Sequence, residues 1–202
     1  MLNILNKIGS VYLLLFVISI NNISLANDLI ASKVSPVTLG TNFESIKRVE
    51  TVKNNKKLLQ AVTDIQINSS VNDVVKALTD FNNYPKIFPN IQSHKVIKQD
   101  NNFVLTERFL KPMFIYKQTK HNVIYNLSKC PTELTWVIMS NNNVNYASGQ
   151  WLIEAVNPSL TKVTYSIKVI PHNMLAPGFG NMVLNFIQSD AVKSLKKYCE
   201  AS

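Results

Sequence analysis

The chain has 202 residues, with 21 Lys and Arg against 12 Asp and Glu and a formal net charge of +9. The length suits a leader plus one domain with a closed core. The basic residues are scattered, with short clusters only at Lys47-Arg48, Lys56-Lys57 and Lys193 to Lys197. They describe a solvated basic face, or one that docks on an anionic membrane surface, and together with the leader described next they exclude nucleic acid as a partner.

Residues 1–26 read as a leader. Lys7 is their single charge, the apolar run VYLLLFVISI follows from Val11 to Ile20, and Ser24-Leu25-Ala26 closes the segment with small residues. This is the pattern of a secretory signal peptide cleaved after Ala26, and it predicts a periplasmic or secreted protein of bacterial type. The run is shorter than the ~20 apolar residues of a spanning helix. An uncleaved N-terminal anchor is the rival reading. Two cysteines remain, Cys130 and Cys199, and an even count in an oxidising compartment permits one disulfide. Free buried thiols are the alternative.

Residues 27–55 form an arm or hairpin extension. The segment FESIKRVETV, the turn Asn54-Asn55 and LLQAVTDIQI predict two paired strands. In the second, Leu59, Ala61, Thr63, Ile65 and Ile67 share one face. Asn68-Ser69-Ser70 then supplies side-chain oxygens for a helix start, with Asn68 expected as the cap. Val71, Val74, Val75 and Leu78 make one helical face. Between Phe81 and Pro89 three aromatics and two prolines stop that helix and build an apolar corner.

After Pro89 six strands follow at hairpin spacing: IQSHKVIKQ, FVLTERFL, IYKQTKHNVIYNL, ELTWVIM, YASGQWLIEAV and TKVTYSIKVI. A loop with Pro177, Gly178 and Gly180 leads to a last helix from about Met182 to Tyr198. Its expected inner stripe is Val183, Phe186, Ile187, Asp190, Ala191, Ser194 and Leu195. The order of elements gives an α+β domain with a sheet wrapped around the last helix.

Three segments carry a resemblance: ALTDFNNYPKIFPNI (Ala77 to Ile91), SGQWLIEAV (Ser148 to Val156) and TKVTYSIKVIPHNMLAPGFG (Thr161 to Gly180). In order and spacing they resemble the START-like, birch-pollen-allergen-like helix-grip superfamily, in the branch with polyketide cyclases and coenzyme-Q-binding proteins. The resemblance covers residues 56–200. It implies a curved seven-stranded antiparallel sheet gripping the long C-terminal helix, with two short helices after the first strand and an apolar cavity between. By the same resemblance, Phe81, Tyr84 and Phe88 would line one rim of the cavity mouth. Met174, Leu175, Phe179 and Met182 would line the other, and Trp136, Trp151, Tyr165 and Phe186 would reach inward. An ordinary packed core is the plainer reading of Trp151, Tyr165 and Phe186. Phe81 and Leu175 are apolar groups on loops, which a core explains less well.

No catalytic constellation stands out. His94, His121 and His172 are isolated and lack metal-ligand spacing. His94 and His121 are expected at the surface or the pocket edge, and His172 at the mouth as a polar ligand contact. Glu107 and Arg108 are adjacent, so in a strand they point to opposite faces. There is no phosphate loop, no nucleophile elbow and no cofactor motif. The leading expectation is therefore an exported protein that holds a hydrophobic small molecule such as a lipid, a fatty acid or an isoprenoid quinone. A cyclase or aromatase on a polycyclic or aromatic substrate is the second, with His172, Tyr146 or Glu107 as polar cavity residues. A protein-interaction module with a filled core is the third. Oligomeric state is not legible.

Overall fold

The computed structural model describes residues 46–53, 56–112, 119–138, 144–171 and 179–201. The expected leader, and the loop with His172, Met174 and Leu175, lie outside the described residues.

Among the described residues, eight strands form one antiparallel sheet: β1 (Ile46–Lys53), β2 (Lys56–Ile67), β3 (Ile91–Asp100), β4 (Phe103–Leu110), β5 (Thr119–Lys129), β6 (Glu133–Ile138), β7 (Val144–Asn157) and β8 (Leu160–Pro171). Their spatial order is β1-β2-β8-β7-β6-β5-β4-β3. Strands β2 to β8 are the seven of the helix grip. Strand β1 adds an eighth at the edge, because its register with β2 runs from Ile46↔Thr63 to Lys53↔Lys56. Between β2 and β3 the chain crosses to the opposite edge through two short helices, α1 (Val71–Thr79) and α2 (Tyr84–Ile87), separated by a 3-10 turn at Phe81–Asn83. The long helix α3 (Phe179–Glu200) returns across the inner face, packing on β2 and reaching α1, α2 and β8. Register shifts in β3, β5 and β7 bend the sheet around it.

Period-two alternation decides which side chains meet the helix. On β2, Leu59, Ala61, Thr63, Ile65 and Ile67 are all buried, as are Val163, Tyr165 and Ile167 on β8. Helix α1 buries Val74, Ala77 and Leu78. Its cap is Ser70, not Asn68: the Ser70 hydroxyl accepts from the Asp73 amide at 3.2 Å and donates to the Asp73 carboxylate at 2.6 Å. Asn68 is taken by a non-local partner, donating its backbone and side-chain N–H groups to Glu200 Oε1 at 2.8 and 2.9 Å. That clamp fixes the end of α3 to the start of α1. The inner face of α3 is also wider than the expected stripe. In its described half Leu195 is buried as expected, Val192 and Cys199 are buried beside it, and Asp190, Ala191 and Ser194 are half-buried. A helix held between a bent sheet and α1 buries a wider arc than one stripe.

The Cys130–Cys199 bridge is not formed; both thiols are free. Cys130 sits in the β5–β6 turn with its thiol directed at the Glu133 carbonyl at 3.6 Å, whereas Cys199 is buried near α1, where the Asp73 charge reaches it. Different packing partners hold them in different parts of the domain.

Candidate ligand-binding site

The Phe81 to Pro89 corner folds inward. Tyr84 begins α2 and sends its hydroxyl back to donate to the Leu78 carbonyl at 2.6 Å, closing the corner onto α1. Phe81 is buried, not exposed, at 5% accessibility. Its ring lies 4.5 Å from that of Tyr125 on β5 and 5.4 Å from that of Tyr84. His94 on β3 stacks on Tyr84 at 4.6 Å and 15°. Its Nδ1 lies 2.6 Å from the Phe81 carbonyl. A carbonyl only accepts, so Nδ1 carries the proton and Nε2 is bare. On the far wall Trp151 of β7 and Tyr165 of β8 stack at 3.9 Å and 20°. Trp136 of β6 lies over Gly149 of β7, where a Cβ would overlap the indole. Gly149 is the only side chain size that permits this close approach.

These elements line an open-mouthed cavity of about 140 Å³ beneath α3. Tyr84, Phe88, Tyr125, Trp136, Trp151, Tyr165 and Ile167 supply its apolar walls, and Asp190 and Ala191 of α3 roof it. Asn90, Arg108 and Lys111 also reach its surface. The polar groups are arranged by register. His94, Arg108 and His121 face one another across β3, β4 and β5 and form a row on the inner face. Both histidines are buried, at 7% and 8% accessibility, because β3 and β5 turn them toward the core. Burial, opposed by the Phe81 carbonyl and reinforced by the Arg108 charge, pushes His94 down to about 4; burial and Arg108 push His121 down to about 3. Both rings are neutral near pH 7. Burial likewise raises the Tyr84, Tyr125 and Tyr165 phenols, so they act as neutral hydrogen-bonding groups.

A family model described as polyketide cyclase/dehydrase and lipid transport matches residues 59–200. The chain belongs to that family. No curated protein matches it. Among solved structures, the fold is similar to a STAR-related lipid transfer protein from Xanthomonas axonopodis, with a TM-score of 0.64 and 14% identity over 83% of this chain and 99% of that one. It is also similar to the Zhui aromatase/cyclase from Streptomyces sp. R1128, with a TM-score of 0.62 and 11% identity over 71% and 94% of the two chains. A START superfamily protein from Mycobacterium smegmatis aligns with a TM-score of 0.61 and 11% identity, over 70% and 97%.

Set on this family's fold, the sequence-selected residues divide clearly. Tyr84, Phe88, Trp136, Trp151 and Tyr165 come together around the cavity, and Phe81 lies behind Tyr84 and Tyr125 rather than on the wall. Phe179, Met182 and Phe186 belong to the first turns of α3, with side chains outside the described set. Glu107 turns to the outer face and pairs with Lys120, and Tyr146 does not line the cavity. Tyr125 and Arg108 were missed. The available signal was FVLTERFL itself: Val104 and Thr106 are fully buried, so period two carries Arg108 inward as well. Of the two positions expected for His94 and His121, the surface and the pocket edge, burial rules out the first, and only cross-strand register reveals that they flank that charge.

Proposed function

We propose that this protein binds a hydrophobic small molecule in the cavity between its sheet and α3. The carrying observation is the aromatic-walled space of about 140 Å³, which a helix-grip core leaves unfilled. Binding desolvates the ligand, contributing about 25 cal/mol per Å² of apolar area before association costs are subtracted. The space matches a single ring or a short stretch of chain, on the scale of the ~150 Å³ engineered cavity that accepts benzene. A longer lipid, fatty acid or isoprenoid quinone would extend past the Phe88 rim. Export through residues 1–26 and docking of the remaining chain, at +8 once Lys7 leaves with the leader (20 Lys and Arg against 12 Asp and Glu), on anionic membrane belong to the same proposal. Delipidated protein incubated with bacterial lipid extract, then sprayed under native mass-spectrometric conditions, should retain a ligand. Recovery of the bare protein, with no retention in a Trp151→Ala-sensitive manner, would sink the reading.

A cyclase or aromatase reading is favoured by one feature, the Arg108 guanidinium on the cavity wall, since proton transfer needs a polar group beside the substrate. It replaces Glu107 and Tyr146 as the residue to mutate. An interaction module with a filled core draws no comparable support: the cavity is open, and the exposed large apolar side chains among the described residues are the separate Ile97 and Val156.

A further inference from the structure

Arg108 is an expensive residue in its position. It occupies the inward register of β4 after Val104 and Thr106, where burying a charge is costly unless a counter-charge or full hydrogen bonding accompanies it. Its Nε is buried and makes no hydrogen bond. Its guanidinium lies 5.5 Å from the Trp136 ring centroid and donates to the Tyr125 hydroxyl, both neutral partners. Across the sheet its neighbours are His94 and His121, which are neutral too. Among the described residues no carboxylate forms an ion pair with it. Asp190, the acidic group on the cavity surface, instead accepts from the Asn90 side-chain amide. Lys111 adds a second positive group at the cavity surface. The wall therefore carries two cations against one anion, and that anion is hydrogen-bonded to a neutral amide rather than ion-paired with Arg108.

We infer that the ligand is an amphiphile with a planar carboxylate head, bound with the head on the Arg108 guanidinium and its apolar part against the stacked Trp151–Tyr165 pair. The fork of a guanidinium matches two carboxylate oxygens, and a charge-assisted pair in a dry site is worth more than one in water. The aromatic walls take the ring or chain that follows the head, and Lys111 attracts the anion toward the entrance. A neutral lipid or a quinone would leave the half-buried Arg108 guanidinium, whose Nε is buried without a hydrogen bond, with no carboxylate partner. The inference rests on the hydrophobic-ligand reading above and narrows it to acids.

Isothermal titration with two matched pairs separates the two claims. The pairs are dodecanoate with dodecanol, and phenylacetate with phenylacetamide, all at pH 7.5. Each acid should bind about tenfold or more tighter than its neutral partner, the discrimination of one charge-assisted hydrogen bond. Arg108→Gln should bring each acid down to the affinity of its neutral partner, and Arg108→Lys should restore part of the preference. Equal affinity of acid and neutral partner for the unmodified protein overturns the inference while leaving the hydrophobic-ligand reading intact. Binding of neither member of either pair overturns both. The comparison within unmodified protein stands even if a variant fails to fold.

Discussion

Acidification should unfold this domain through His94 and His121. Both rings are buried on the inner face, and their folded values lie at about 4 and about 3 against an ordinary 6.5. For a base lowered by folding, the unfolded chain takes up the proton first. Stability is thus fully present above about pH 6.5 and falls as the pH drops from there toward the folded values. Between pH 7 and pH 5 each ring withdraws about 2 kcal/mol, the slope approaching about 1.36 kcal/mol for each unit of pH below 6.5. Together that is about 4 kcal/mol, a large share of the ~5–15 kcal/mol that holds an ordinary domain. Ordinary carboxylates titrate mostly below this interval, near 4, so it isolates the two histidines. Urea unfolding at pH 7, 6 and 5 measures the loss, and His94→Gln and His121→Gln should each remove about half of the slope whatever they do to stability at pH 7. Unfolding free energy that is flat between pH 6.5 and pH 5, or imidazole NMR shifts that titrate near 6.5, would refute the argument. Either result would mean that water reaches the rings or that a counter-charge stands beside them.

Gly149→Ala should drive the Trp136 indole off β7, costing on the order of 1–3 kcal/mol and altering tryptophan fluorescence, both read in one thermal melt. Ser70→Ala should cost about 1 kcal/mol through the lost α1 cap, whereas Asn68→Ala should release the Glu200 clamp and speed amide exchange at the end of α3. If Asn68→Ala instead lowers the helicity of α1 and Ser70→Ala does not, the cap assignment is reversed. Thiol titration of unreduced protein in denaturant should find both Cys130 and Cys199 reactive; a titre of zero would show a bridge. In the folded state Cys199 should react much more slowly than Cys130, since burial, with the Asp73 and Glu200 charges, pushes its thiol up to about 11.

What the sequence determined by itself is the order of elements and, for most strands, the inward face. Both are local properties. Alternation such as Leu59, Ala61, Thr63, Ile65, Ile67 can bury only one way around a sheet, and Asn, Gly and Pro mark where strands must turn. The aromatic corner at Phe81 to Pro89 was legible as a helix stop for the same reason. The tertiary structure alone decided everything that depends on which distant residues become neighbours. Strand β4 brings Arg108 between His94 and His121, fourteen and thirteen positions away in sequence, and that register turns two isolated histidines into neutral flanks of a half-buried cation. Asn68 looked like a cap because its partner Glu200 stands at the other end of the chain. Phe81 looked exposed because its neighbour Tyr125 lies on a strand the local pattern does not pair with it. The size of the cavity is likewise a remainder, set by how far a bent sheet and one helix fail to interdigitate.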